Sequence, residues 1–372
     1  MIRLAVDLLW VRPKKVGGIE SYIRNLLDGM SCLEDEYEFW LLTSRDNAET
    51  FTKYTLDGRF HLYVCDVNSN NVKKRIIWQN LNLGNEIKKL NLNTCFEPYY
   101  CKPFLGTKGI DFITTIHDLQ ALHYPEYFSR FKVMWMKNSW KNAVKTSKQI
   151  IAISNFVNED ICSTFNVEKN KVCTIYNPVV VDFNEIDTIE FVQNKYDTKA
   201  GEFYFTVSSL LPHKNIGTLI EVFAKIKENN INLPCKLIVS GVGGKSRKEL
   251  EILIKEKNLT GCIQLTDYIE NHERNALYKY CKAFLFPSVF EGFGMPPIEA
   301  MSMGTPVITT RKTCLEEVTQ GKAIYVEDPF CADEWIKKMR LTEKDGKAIN
   351  FDCFDKKNIA KQYLHIFESI TK

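Results

Sequence analysis

Pro287-Ser-Val-Phe-Glu-Gly-Phe-Gly-Met-Pro-Pro-Ile-Glu-Ala-Met-Ser-Met-Gly-Thr-Pro306 carries a glycine-bearing loop, a helix and the approach to a further strand. The apolar run Ala283–Pro287 supplies the strand that leads in, and Pro297 suits the first position of the helix. Such a loop sets the backbone N–H groups of Gly292, Phe293, Gly294 and Met295 near a helix N-terminus, where phosphate or sugar oxygens are attracted. Glu291 and Glu299 stand at either end of the loop and first turn. A carboxylate accepts two hydrogen bonds side by side, so two of them on one loop–helix unit suit the vicinal hydroxyls of a sugar and a ribose. The bland alternative is a capping Glu299 and a solvated Glu291, and it leaves the rest of the string unexplained.

The same strand–helix rhythm extends outward in both directions. Upstream it runs through strand Phe203–Ser208, helix Ile216–Asn229, strand Lys236–Ser240, helix Lys248–Lys257, strand Ile263–Leu265 and helix Glu273–Cys281. Strand Pro306–Thr309 follows the helix. The first half has its own series: Ile2–Leu9, Glu38–Thr43, His61–Val64, Thr94–Phe96, Asp111–Ile116, Ile150–Ile153 and Lys171–Ile175. Helical patterns at Ile19–Met30, Lys74–Leu90 and Phe131–Thr146 lie between these strands, and Ser154 is placed to cap another. Two such series predict an α/β protein with two doubly wound, Rossmann-like parallel sheets. The break falls around 177–199, which gives an N-terminal domain over 1–178 and a second over 179–355. A final helix over 356–372 is expected to return to the first domain. Ligands of such sheets bind beyond the carboxyl ends of the strands, so the expected site is a cleft between the two domains.

Bulk composition narrows the function. The chain of 372 residues is 45% hydrophobic with a net charge of +3, and its charges are interspersed. That excludes a dedicated nucleic-acid binder, which concentrates basic residues on one face. The 12 cysteines show no C-x-x-C spacing, so they read as reduced, small buried hydrophobes. The opening apolar run is broken by Asp7 and reads as a buried strand rather than a signal peptide. No stretch is long and apolar enough to span a bilayer, so the expected location is cytoplasmic or at the inner membrane surface.

Six segments, in order, make the chain similar to the family-four glycosyltransferases, whose fold is GT-B. They are Gly17-Gly18-Ile-Glu20, Thr115-Ile-His117-Asp118-Leu119, Ile153-Ser154-Asn155-Phe156, Val207 through Lys214-Asn215, the E-G-F-G-x-P-x-x-E string of Glu291 to Glu299, and Tyr325-Val-Glu-Asp-Pro329. Tyr176-Asn177-Pro178-Val179 resembles the family's exit from the first domain. The resemblance implies a retaining hexosyltransferase that uses a nucleotide-diphosphate sugar and needs neither metal nor other cofactor. His117, Lys214 and Glu291 are implied as catalytic. Lys214 is placed to neutralise the departing diphosphate, His117 to touch the donor sugar, and Glu291 to hold sugar hydroxyls and face the positive transition state. Gly17 and Gly18 are implied to approach the phosphate, Glu299 to hold the ribose, and Tyr268 and Ile269 to read the base. Gly292, Phe293, Gly294 and Met295 complete the donor site. Where the family has an arginine five residues before this lysine, the chain has Ser209, and a protonated His213 is one candidate to compensate.

The same resemblance points to GDP-mannose as donor, with UDP-glucose or a UDP-N-acetylhexosamine as the alternative, and to a glycan or lipid-linked glycan acceptor in surface polysaccharide synthesis. Lys73–Trp78 and Arg130–Lys137 mix cations with large apolar groups. They read either as helices packed on their own sheet or as a weak contact with an anionic membrane. A sugar-nucleotide epimerase and a non-catalytic nucleotide-sugar binder are the rivals. Gly241-Val-Gly-Gly-Lys245-Ser246 imitates a P-loop, but Val239 stands where that motif needs glycine. Trp10–Gly17 lacks the G-x-G-x-x-G of a dehydrogenase, and Glu34-Asp35-Glu36 reads as solvated charge rather than a metal site.

Overall fold

The computed structural model describes residues 1–13, 17–243, 245–343 and 346–371, apart from the side chains of Lys169, Lys245 and Ser246. Contacts divide the chain into two compact units, Met1–Val179 with Asp352–Lys372, and Val180–Phe351. The first contains β1 (Ile2–Asp7), β2 (Tyr37–Ser44), β3 (Phe60–Cys65), β4 (Thr94–Glu97), β5 (Asp111–Ile116), β6 (Gln149–Ala152) and β7 (Val172–Thr174). The second contains β8 (Tyr204–Val207), β9 (Leu237–Ser240), β10 (Ile263–Leu265), β11 (Ala283–Phe286), β12 (Val307–Thr310) and β13 (Ile324–Val326).

Every strand pair is parallel, in the orders β3-β2-β1-β4-β5-β6-β7 and β10-β9-β8-β11-β12-β13. Strands covered by helices on both faces are shielded from water along their length, and β4, β9, β11 and β12 are buried at every position, their few polar residues included. Each order grows outward from its first strand and then restarts on the other side. The direction reverses between β1 and β4 in one unit and between β8 and β11 in the other. Loops diverge at that point and leave a crevice at the carboxyl ends, so the topology alone nominates the loops after those strands as binding loops.

Helix Lys356–Thr371 packs on the first unit although it ends the chain. Its Ile359, Ala360, Tyr363, Leu364 and Phe367 join the core formed by β1, β2 and helix Gly18–Ser31. The Tyr363 hydroxyl meets that of Tyr22 at 2.7 Å. Gly29 is where the chain makes its close approach: a Cβ there would stand 2.2 Å from the Lys356 carbonyl oxygen.

Several elements were not legible in the periodicity, helix Ala332–Met339 and the short helices Gln120–His123 and Leu315–Val318 among them. The acidic stretch 177–199 contains helix Ile189–Tyr196, started by the Thr188 hydroxyl accepting from Phe191 N at 3.3 Å. Ala48–Leu56 forms a 3-10 helix, and β13 was not identified as a strand either. The helix expected over Lys74–Leu90 is interrupted by a π turn at Gln79–Leu83. Asn80 and Asn82 donate back to the Ile76 and Trp78 carbonyls at 2.8 and 3.1 Å, the competition that disfavours asparagine within a regular helix.

Candidate active site

In the first unit β5 ends at Ile116, and His117 follows it directly. The ring is 6% exposed. Its Nε2 lies 2.9 Å from the Pro98 carbonyl, which can only accept, so this nitrogen carries the proton and donates. Tyr22 meets the ring edge-on at 4.9 Å and is itself held by Thr115 at 3.1 Å. Burial pulls the His117 pKa down to about 4, so the ring is neutral near pH 7 and Nδ1 offers a lone pair. Such a nitrogen accepts from a sugar hydroxyl rather than delivering charge. Gly17 caps helix Gly18–Ser31 at φ 65°, and Tyr22 on the second turn of that helix links the glycine loop to His117.

Sequence reading missed a buried carboxyl pair at the reversal point of the first sheet. Asp7 and Glu97 end the adjacent strands β1 and β4, and both are fully buried. Asp7 accepts from Leu9 N at 2.9 Å and from Gln79 Nε2 at 2.7 Å. Neither Glu97 oxygen has a well-formed hydrogen bond, the Tyr99 N–H supplying only a weak one. Burial pushes both carboxyl pKa values up, and for Glu97 the neighbouring Asp7 charge raises it further. The available signal was a charged residue closing each of two apolar strands. The π turn has its reason here, since it delivers Gln79 to Asp7.

In the second unit the loops after β8 and β11 are sewn together. Val289 N donates to the His213 carbonyl at 2.8 Å, and the Ser288 hydroxyl donates to the same oxygen at 3.3 Å. This alignment brings Lys214 Nζ to 2.6 Å from Glu291 Oε1, with side-chain exposures of 19% and 12%. Glu291 is held from behind, its N–H donating to the Thr313 hydroxyl at 3.1 Å and its carbonyl accepting from the Cys314 thiol at 3.2 Å. Its second oxygen, Oε2, has no protein partner among the described residues.

Gly294 makes the sharp turn from loop to helix at φ 87°, where a side chain would be strained, and a Cβ would stand 3.0 Å from Leu315 Cδ2. The helix begins at Met295, two residues before the expected Pro297. That start sets the Gly292–Met295 backbone at the helix entrance. Glu299, one turn along, accepts from the Tyr278 hydroxyl on Oε2 at 2.9 Å and pairs with Arg274 Nε at 3.6 Å.

The remaining residues named from sequence fall as follows. Tyr268 is 65% exposed and Ile269 buried, both on the loop after β10. Ser209 is exposed, and its carbonyl accepts from the Ser208 hydroxyl at 2.6 Å. The suggestion that a charged His213 compensates for the absent arginine is wrong. His213 is 3% exposed, and burial, then the adjacent Lys214 charge, drives its pKa down to about 3. It is uncharged and serves through its backbone. Of the P-loop imitation, Gly244 and the side chains of Lys245 and Ser246 lie outside the described residues. Among the described residues no group of three His, Cys, Asp or Glu side chains could hold a metal ion.

Comparison with known proteins accounts for this arrangement. Residues 16–183 match the model Glycosyltransferase Family 4, and residues 186–352 match Glycosyl transferases group 1. The chain belongs to the GT-B glycosyltransferases. Among curated members, it is 30% identical to O-antigen chain mannosyltransferase B of Escherichia coli over 224 residues, 59% of this chain and 58% of that one. It is 27% identical over 255 residues to a Campylobacter jejuni enzyme, N-acetylgalactosamine-N,N'-diacetylbacillosaminyl-diphospho-undecaprenol 4-alpha-N-acetylgalactosaminyltransferase, covering 62% of this chain and 66% of that one. The matches thus span less than two thirds of these relatives' lengths. Among solved structures, HepE of Anabaena in complex with UDP superimposes with a TM-score of 0.71 over 100% of both chains at 17% identity, a likeness of fold.

Proposed function

We propose that the chain transfers a hexose, mannose from GDP-mannose, to a lipid-linked glycan with retention of anomeric configuration, in surface polysaccharide synthesis. The observation that carries this reading is the Lys214–Glu291 pair at 2.6 Å, held where the second sheet reverses direction. A diphosphate entering between those loops competes with Glu291 for the ammonium. Lys214 then offsets the charge that grows on the departing nucleotide diphosphate. Glu291, released from the lysine, faces the positive charge developing on the sugar and takes a sugar hydroxyl. Glu299 Oε1 takes the ribose, while neutral His117 accepts from a donor-sugar hydroxyl. Retention follows if a phosphate oxygen of the departing group accepts the acceptor's proton on the same face of the sugar, so that no side chain is needed as base. In this reading Lys214 and the loop amides carry the phosphate charge without a metal ion.

The donor and acceptor in this proposal draw on the relatives, whose names include a mannosyltransferase and an enzyme acting on a diphospho-undecaprenol-linked sugar. UDP-glucose and UDP-N-acetylhexosamine are the alternative donors. Peripheral binding at the inner face of the membrane is part of the proposal. Helix Arg130–Thr146 exposes Phe131 by 81% and Met134 by 57% beside Lys132 and Lys137, and Ile77 is 60% exposed beside Lys73 and Lys74. Cations around protruding apolar groups suit an anionic lipid surface. No described helix is long and apolar enough to cross a membrane.

The test is incubation of the intact chain with GDP- and UDP-sugars, with and without a polyprenyl-diphosphate-linked acceptor, followed by NMR of the new linkage. The expected result is acceptor-dependent product with the donor's anomeric configuration. Acceptor-independent turnover would indicate an epimerase, inversion would remove the proposed mechanism, and absence of any product would favour a binder.

A further inference from the structure

Arg274 lies in the first turn of helix Asn271–Tyr280, directly after the loop bearing Tyr268 and Ile269. Its side chain is 24% exposed, yet Nε is buried and meets no hydrogen-bond acceptor. The nearest acid, Glu299 Oε2, is 3.6 Å away, beyond hydrogen-bonding range, and that oxygen already accepts from Tyr278 at 2.9 Å. The guanidinium has no hydrogen bond to the protein among the described residues. Its electrostatic neighbours are Glu299, Tyr278 and Tyr268. A guanidinium carries five donors in a flat fork, and holding it half-buried with none of them used is unfavourable unless something else accepts from it.

The placement says what that acceptor is, given the donor-site reading above. Once Glu299 Oε1 holds the ribose hydroxyls, the base extends past the ribose toward Tyr268, whose exposed ring offers a stacking surface. Arg274 has both Glu299 and Tyr268 among its electrostatic neighbours. Guanine presents N7 and O6 as adjacent acceptors on one edge, the geometry a guanidinium meets with two parallel hydrogen bonds. Uracil places an N3–H donor between its two carbonyls, so a guanidinium finds single acceptors there and is repelled by the hydrogen between them. We infer that Arg274 selects the guanine nucleotide by donating to its N7/O6 edge. Its second effect is to fix Glu299 for the ribose, which serves every nucleotide alike.

The two effects separate in titrations of the full chain with GDP and UDP, using wild type, Arg274→Leu, Arg274→Lys and Glu299→Gln. Thermal unfolding of each variant without nucleotide checks that the second unit is intact. Wild type is expected to bind GDP at least about tenfold more tightly than UDP, since a good bidentate pair is worth roughly 10- to 100-fold in base discrimination. Arg274→Leu should lose most of that ratio through weaker GDP binding. Arg274→Lys, which keeps the charge but not the fork, should lose it as well. Glu299→Gln should weaken GDP and UDP by the same factor. A ratio unchanged in both Arg274 variants, or GDP and UDP weakened equally by them, would reduce Arg274 to a support for Glu299 and overturn the inference. A wild-type preference for UDP would overturn it while leaving the donor site standing. If wild type binds neither nucleotide, the donor-site reading falls, and this inference with it.

Discussion

Glu291→Gln should lower kcat by on the order of 10²–10³ while leaving nucleotide-diphosphate affinity unchanged or slightly tighter. The two halves have different causes. Glu291 faces the reacting sugar, and removing its charge removes an interaction that strengthens only as positive charge develops, so the loss appears in kcat and kcat/KM together. The magnitude is that of deleting one preorganised electrostatic contact in a partly desolvated site. In binding, Glu291 is the competitor that holds Lys214 at 2.6 Å. An amide competes less well for the ammonium, so the phosphate gains. The backbone of Glu291 remains anchored by Thr313 and Cys314, and glutamine keeps the shape, so the loop should not collapse. Steady-state kinetics with a nucleotide titration on the same preparation checks both halves. A kcat within threefold of wild type would remove Glu291 from the chemistry.

The second large effect concerns acid. The His117 pKa falls from the ordinary 6.5 to about 4 on folding because the ring is buried. The unfolded chain therefore binds a proton that the folded chain refuses. The stabilisation is present above pH 6.5 and is lost as pH falls toward 4. Between pH 7 and 4.5 this one ring should withdraw about 2–3 kcal/mol from the first unit. Asp7 and Glu97 in the same unit have raised pKa values and act with the opposite sign, losing stabilisation as pH rises. The clean observable is thus a difference. His117→Gln keeps a donor for the Pro98 carbonyl and cannot titrate, so its stability relative to wild type should improve by about that amount on acidification. Denaturant unfolding of both proteins at pH 7 and 4.5 measures it. Parallel behaviour of the two would mean that His117 is charged or solvated in the fold.

Most of the architecture was legible because buried parallel strands are predominantly apolar, and runs such as Phe203–Ser208 and Ala283–Pro287 stand out from the amphipathic helices around them. The capped start at Ser154 was legible, and its hydroxyl accepts from Val157 N at 3.2 Å, whereas the Thr188 cap inside the acidic stretch was not. What escaped depends on tertiary packing. The π turn at Gln79–Leu83 exists to reach Asp7, on a strand more than seventy residues away in sequence. The carboxyl pair of Asp7 and Glu97 becomes visible only when β1 and β4 lie side by side. His213 looked like an exposed loop histidine because nothing local shows that Val289 and Ser288 fold over its backbone. Arg274 carried no motif at all, and its interest arises from the contacts it lacks. Glycine signals were legible where the backbone needs them: Gly294 has φ 87° at the turn the loop string implied.

The central claim is that the Lys214 loop receives a nucleotide diphosphate. The most direct measurement is a calorimetric or thermal-shift titration of the intact chain with UDP, GDP, dTDP, CMP and ADP, repeated on Lys214→Ala. The account predicts stabilisation of wild type by a nucleoside diphosphate, greatest for GDP, rising with the logarithm of ligand concentration, and at least about tenfold weaker affinity in the variant. Saturating concentrations that leave wild type unchanged, or equal affinity in Lys214→Ala, would contradict it.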